Sequence, residues 1–166
     1  MVEYLASRDA KIMKVSQKGL YALQALMMLA RRHNDGAIRI RDIAYEENLP
    51  EKFLELILLE LKNARMVESV RGAHGGYRLR RPASQIFLSE VMRTIDGPLA
   101  PFGDAALLQN LIDTDKSHRA LYTVFLQVRD AAAMILEHIS VAEIAGTDVN
   151  ASARPKKLKS KPYSRK

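Results

Sequence analysis

The chain has 166 residues, 48% of them apolar and 27% charged, with a formal net charge of +7 and no cysteine. That length buries one ordinary core with an appended helix, and the apolar share excludes a chain that is disordered throughout. The missing cysteines exclude a disulfide scaffold, a thiol nucleophile and a thiolate-held cluster. No apolar run is long enough for a membrane span or a secretory signal, so a cytoplasmic protein with no membrane partner is expected.

The charge is unevenly spread. Arg154, Lys156, Lys157, Lys159, Lys161, Arg165 and Lys166 lie in the last stretch, which has no acid, and removing them leaves 19 basic against 19 acidic residues. The body is formally neutral, so nucleic-acid binding there has to rest on local clusters such as Arg71, Arg78, Arg80 and Arg81 rather than on bulk charge.

In chain order, residues 1–12 form an extension. They are either an upstream-start artefact, with Met13 as the true start, or a short helix or arm. Ser16 is an N-cap for a helix to about Arg32, with Leu20, Leu23, Met27 and Ala30 on one face. His33-Asn34-Asp35-Gly36 reads as a turn, and Ile38-Arg39-Ile40 as a short strand able to pair with a later hairpin. Arg41 and Asp42 open a short helix containing Ile43 and Ala44. Leu49 falls in a tight turn, and Pro50 suits the first position of the next helix, where no N–H is needed.

From there Phe53, Leu54, Ile57, Leu58 and Leu61 recur at threes and fours, which makes one apolar helical face ending near Arg65. Val67 to Val70 and Tyr77 to Leu79 are strand candidates around Arg71-Gly72-Ala73-His74-Gly75-Gly76. Paired glycines there supply the positive φ angles of a hairpin tip. Helix, turn, helix and basic hairpin make a winged helix-turn-helix, a reader of double-stranded DNA. Pro82 ends the wing, and Leu88 to Ile95 form a helix stopped by Gly97-Pro98. Asp104 caps a brief helix with Leu107, Leu108, Leu111 and Ile112 inward. This connection is either packing or a small apolar ligand pocket.

Leu121, Val124, Phe125, Val128, Ala132, Ile135 and Ile139 form a stripe of alternating threes and fours from about Ser117. A helix of about 23 residues spans ~35 Å, more than one small domain can cover. The stripe is therefore read as a two-fold dimerisation helix, with intramolecular packing as the alternative. Ser140 and Glu143 form a capping box for a last short helix. Residues 150–166 are a basic disordered tail, either solvated or adding salt-sensitive DNA affinity. The expected fold is mainly α: a winged helix-turn-helix domain over 13–97, then a connection and long C-terminal dimerisation helix over 98–149.

The chain also resembles a known family. Phe53-Leu54-Glu55, Leu58-x-x-Leu61, Met66-Val67-x-Ser69 and Arg71-Gly72-x-x-Gly75-Gly76-Tyr77-x-Leu79 are similar to the Rrf-type bacterial repressors, which include the regulators IscR, NsrR and CymR. Met13-Lys14-Val15-Ser16, Tyr21-Ala22-Leu23 and Val91-x-x-x-Ile95-Asp96-Gly97 extend the likeness over about 13–97. The resemblance implies that the start of the first helix faces the DNA backbone, so Lys14, Ser16 and Lys18 become phosphate contacts, with a capped, solvated helix end as the alternative. It also implies base readout by Glu55, since glutamate accepts a hydrogen bond from cytosine N4.

Lys52 is a phosphate or guanine contact. Glu51 is a weaker candidate that in any case complements the positive helix end. Arg39 and Arg41 either reach phosphates or are plain surface arginines. At the wing, Arg71 is the principal groove contact, with His74, Tyr77 and Arg78 beside it, and Gly75 and Gly76 let the backbone approach the sugar-phosphate chain.

The family's iron–sulfur members place cysteines just after the Asp-Gly pair, where this chain reads Pro98-Leu99-Ala100-Pro101-Phe102-Gly103-Asp104. No cofactor is expected. His33, His74, His118 and His138 follow no metal-ligand spacing, and no phosphate loop or nucleophile elbow occurs, so an enzyme is not expected. The leading reading is a homodimeric repressor of a palindromic operator. The alternative is an interaction module whose DNA binding is governed by, or secondary to, a protein effector.

Overall fold

The computed structural model describes residues 16–97 and 104–147. The expectations for Lys14, the N-terminal extension, the segment 98–103 and the basic tail fall outside these residues.

Ser16 opens the fold as the N-cap of α1 (Gln17–Arg31), its hydroxyl accepting from the Gly19 N–H. The buried side of α1 is Ala22, Ala25, Leu26, Met28, Leu29 and Ala30; of the expected row, Ala30 is buried, Leu23 and Met27 are half-buried against the core, and Leu20 is half exposed. Small alanines let the neighbouring helices approach α1 closely, so this face is chosen by fit and not by the bulkiest residues. A short 3-10 turn, His33–Asp35, leads to Ile38.

The expected strand at Ile38–Ile40 shrinks to a single antiparallel bridge. Ile38 and Tyr77 exchange both backbone hydrogen bonds, at 2.9 and 2.8 Å. Arg39 then caps α2 (Ile40–Glu46), and Ile40 is already helical.

Helix α2 ends in Asn48, whose φ of 53° is left-handed. The Asn48 N–H donates to Tyr45 O and the Leu49 N–H to Ala44 O. This is a Schellman turn, and asparagine tolerates its left-handed position. Leu49 is driven into the core beneath it. Pro50 is the N-cap of α3 (Glu51–Asn63), one position earlier than expected. Leu54, Ile57, Leu58 and Leu61 bury the expected apolar face, with Phe53 half-buried and edge-on to Tyr21 at 5.9 Å between ring centres. A second Schellman turn ends α3, with Arg65 at φ 59° and the Met66 N–H donating to Leu61 O.

The wing follows as β1 (Val67–Val70) and β2 (Gly76–Leu79), antiparallel with Val67 opposite Leu79 and Val70 opposite Gly76. The positive φ angles of its loop belong to Gly72 (110°) and Gly76 (156°), so Gly75 does not share that role. Gly75 is needed for space, since a Cβ there would lie 2.4 Å from Val70 O. After the 3-10 turn Ala83–Gln85 comes α4 (Leu88–Asp96), closed by Gly97.

Asp104 caps α5 (Ala105–Thr114) as expected, although only Leu108 of its apolar residues is fully buried. Helix α6 (Arg119–His138) packs along α5 as an antiparallel hairpin. Ile139 lies outside it, as an extended cap whose carbonyl accepts from the Leu88 N–H. The Ser140–Glu143 capping box starts α7 (Val141–Ala145), which returns against α1. The core is therefore the three-helix bundle of α1, α2 and α3, closed by α4, α7 and the root of the wing.

Candidate nucleic-acid interface

Helix α3 sits in this bundle with its core side down, which turns its first two turns outward. Glu51, Lys52 and Glu55 are exposed, and none makes an ion pair or side-chain hydrogen bond among the described residues. Arg71, at the start of the wing loop, is likewise exposed and unpaired there, as is His74. These are groups whose charge is not already spent inside the protein.

The other expected contacts have intramolecular partners. The Ser16 hydroxyl donates to Asp96, and the Ser16 N–H reaches the same carboxylate at 3.2 Å. Lys18 Nζ lies 2.6 and 2.8 Å from the two oxygens of Glu60 and so ties α1 to the recognition helix. Arg39 donates to Ala73 O at 2.8 Å and holds the wing loop against the start of α2. Arg78 pairs with its cross-strand neighbour Glu68 at 2.6 Å. Arg41 is exposed, with a loose 3.8 Å pair to Asp42.

Tyr77 is half-buried and packs on the core, with its backbone committed to Ile38. Gly76 is pressed against the same residue: a Cβ would sit 2.2 Å from Ile38 O. The expectation that Gly75 and Gly76 leave room for a DNA strand is thus replaced in part by an internal cause. Their close approach is to the protein's own backbone, and the Gly75 N–H donates to Gly72 O.

Arg80, already counted in the local basic cluster, is joined on the exposed surface by three residues to which the sequence assigned no contact, Arg65, Leu56 and Leu59. Arg65 and Arg80 are exposed and without ion pairs among the described residues, at the two roots of the wing. Leu56 and Leu59 stand 56% and 51% exposed on α3. The periodicity that assigned α3 its core side also left these two leucines opposite it, and that was the available signal. A cleft of about 370 Å³ lies between the wing loop and the α1–α2 turn, with Arg32, Asp35, Arg39, Asp42 and His74 in its walls. It is polar and lies away from the connection where an apolar pocket was considered.

The stripe expected to mediate dimerisation runs along α6. No residue of this 20-residue helix is fully buried, and Leu121, Val124, Val128 and Ile135 are 46–59% exposed. Phe125 and Ala132 are half-buried on the side toward the rest of the chain. Ile139, beyond the helix end, is half-buried too. At the α5–α6 turn, the Tyr122 hydroxyl donates to Asp115 at 3.1 Å and His118 Nδ1 lies 2.9 Å from the same carboxylate. The His118 hydrogen bond holds Asp115 below the usual carboxylate range. Desolvation, reinforced by Asp115, pushes the Tyr122 hydroxyl up.

Two helices joined by a four-residue turn, with a basic antiparallel wing bridged to the root of the first, define a winged helix-turn-helix protein. The Rrf2 family model, described as an iron-dependent transcriptional regulator, matches residues 15–147. CymR of Bacillus subtilis (strain 168), an HTH-type transcriptional regulator, is 33% identical over 133 residues, 80% of this chain and 90% of its own length. IscR of Cereibacter sphaeroides is 36% identical over 86 residues, 51% of this chain and 56% of that protein.

The solved structure of CymR, the global cysteine regulator of B. subtilis, superposes with a TM-score of 0.70 at 30% identity, covering 82% of this chain and 99% of the other. The IscR structure from T. potens gives 0.63 at 30% identity, with 81% and 87% covered. The chain belongs to the Rrf2 family of DNA-binding transcriptional regulators, which are not enzymes.

The family description implies iron, and the residues do not fit a thiolate-held centre. The sequence has no cysteine, and among the described residues no group of three or more His, Asp or Glu is placed to hold a metal. The chain is a member without cluster-ligating cysteines. Among the described residues no helix is long and apolar enough to cross a membrane.

Proposed function

We propose that the protein is a homodimeric repressor that reads a two-fold-symmetric operator in the cytoplasm, where the chromosome lies. The observation that carries this reading is the pair of uncommitted surfaces on one domain. The outward first turns of α3, with Glu51, Lys52 and Glu55, stand beside a wing whose Arg71 has no partner among the described residues. Helix α3 enters a major groove, and the wing lies along the flanking strand. Glu55 accepts from cytosine N4, Lys52 takes a guanine edge or a phosphate, and Arg71 enters the adjacent narrow groove.

Lys18, Arg39 and Arg78 act mainly by holding the helix and wing in register, because their charges already face Glu60, Ala73 O and Glu68. Ser16 gives up its hydroxyl to Asp96 and presents the start of α1 rather than a free side chain. Arg41, His74, Lys14 and the backbone around Gly75, Gly76 and Tyr77 remain as phosphate-side candidates. The exposed stripe of α6 pairs with its copy and sets the two recognition helices about 34 Å apart, one turn of duplex.

The test is binding of the full chain to its own promoter region in the presence of random duplex. Selective retention of a palindromic fragment is expected. A fragment displaced as easily by random DNA would overturn the reading. Lys52→Ala should weaken all duplexes and reduce the salt slope by about one if Lys52 holds a phosphate. Glu55→Ala should cost about 1–3 kcal/mol of discrimination at one base pair.

The second reading, control by a protein effector, is favoured by one observation: the chain has no cysteine with which to hold its family's cluster. A stoichiometric partner that alters operator affinity of the purified dimer would support it.

A further inference from the structure

We propose that Leu56 and Leu59 form an apolar reading stripe that meets the C5-methyl groups of two thymines in the operator. The inference rests on the reading that α3 lies in a major groove. Leu54, Ile57, Leu58 and Leu61 define the core side of α3. At 3.6 residues per turn, the positions within about 30° of the opposite side are Lys52, Leu56, Leu59 and Asn63. Glu55 sits on the shoulder of this face, and Glu51 lies further round toward the core.

The centre of the outward face is therefore one cation followed by two leucines. Leu56 and Leu59 are 56% and 51% exposed and pack on no other part of the described chain well enough to be covered. Along the axis they follow Lys52 by about 6 and 10.5 Å at ~1.5 Å per residue, close to two and three base steps of ~3.4 Å. The C-terminal half of α3 is tied to the wing by Lys62, on the flank of this face, which donates to Ser69 of β1 at 2.8 Å.

A major-groove floor is polar except at one group, the thymine methyl. An exposed leucine facing that floor gains by covering a methyl and loses by covering the N–H donor of cytosine or the bare acceptors of guanine. The charged neighbours Lys52 and Glu55 suit guanine and cytosine edges. The four side chains together thus specify a mixed site in which one to three base pairs beyond the Lys52 contact carry thymine. The exposed apolar residues of α6 belong to a different element.

The experiment selects a preferred duplex for the full chain from a random pool and then replaces each thymine by deoxyuridine, which removes only the methyl. The wild-type protein should lose about fourfold in affinity at each of two positions, the equivalent of ~0.8 kcal/mol per buried methyl. Leu56→Ala should abolish that sensitivity at one position and Leu59→Ala at the other, with thermal melts unchanged because both side chains are exposed. Selective binding with no response to uracil in the wild type, or full response in both variants, would overturn the proposal while leaving the operator reading intact. A pool that yields no preferred duplex would overturn the operator reading, and this proposal with it.

Discussion

Arg65 is the residue with the plainest local cost. Its φ of 59° puts a side chain in the left-handed region at the end of α3, where glycine is the usual occupant. An L-residue there costs ~1–2 kcal/mol, offset in part by the extra chain entropy that glycine loses on folding. Arg65→Gly should therefore stabilise the protein by about 0.5–1 kcal/mol, read as a higher melting temperature. A lower one would show that the arginine makes a stabilising contact. The sequence reading located the helix end near this position because the apolar period stops there. It did not find the left-handed turn, because arginine gives no such signal. Lys18 was illegible for a related reason. Its partner Glu60 is 42 positions away, and spacing along one helix cannot predict a bond between two.

At the scale of elements, strong local signals were legible and contextual ones were not. Ser16, Asp104 and the Ser140–Glu143 box cap the helices they were expected to cap. The alternation of apolar and basic residues at Ile38–Ile40 fits a strand, whereas helix α2 claims Ile40 and leaves room for only one bridge. The connection that includes the α5–α6 turn reads from sequence as packing or a small apolar pocket, and the turn carries a titratable latch. Asp115 is held below its ordinary value of 3.8 by its hydrogen bond from His118. Its contribution is therefore present above the unfolded-state value and is lost as pH falls through the folded-state one. Tyr122 is raised, so its share is present below its ordinary value of 10.0 and fades at higher pH. Asp115→Asn should lower the melting temperature at neutral pH, and the gap to wild type should close below about pH 4. A gap that stays constant into acid would show that the carboxylate charge contributes nothing.

For the whole molecule, the decisive feature is that α6 is 20 residues long and buries none of them fully. Such a helix spans about 30 Å, and its exposed leucine, valine and isoleucine side chains leave a seam that a second copy would cover. Val128→Asp should yield a monomer by light scattering, since an isolated carboxylate in an apolar seam is costly to desolvate. The same change should weaken operator binding by at least about tenfold, ~1.4 kcal/mol. A Val128→Asp protein that kept both its mass and its affinity would move the interface elsewhere. The three-four period of this stripe is legible in the sequence, where it fits either a pairing helix or packing within the chain. What a sequence could not settle is which side faces the chain and which faces out, and here Phe125 and Ala132 turn inward while Val124 and Val128 do not.

The carboxylate of Asp96 receives both the N–H and the hydroxyl of Ser16, 80 positions earlier in the chain. The last turn of α4 and the first turn of α1 are thereby pinned at a single point. A rotation of α4 at this end cannot occur without either dragging the head of α1 or severing both bonds. The last turn of α4 thus acts as a mechanical lever on the opening helix of the domain.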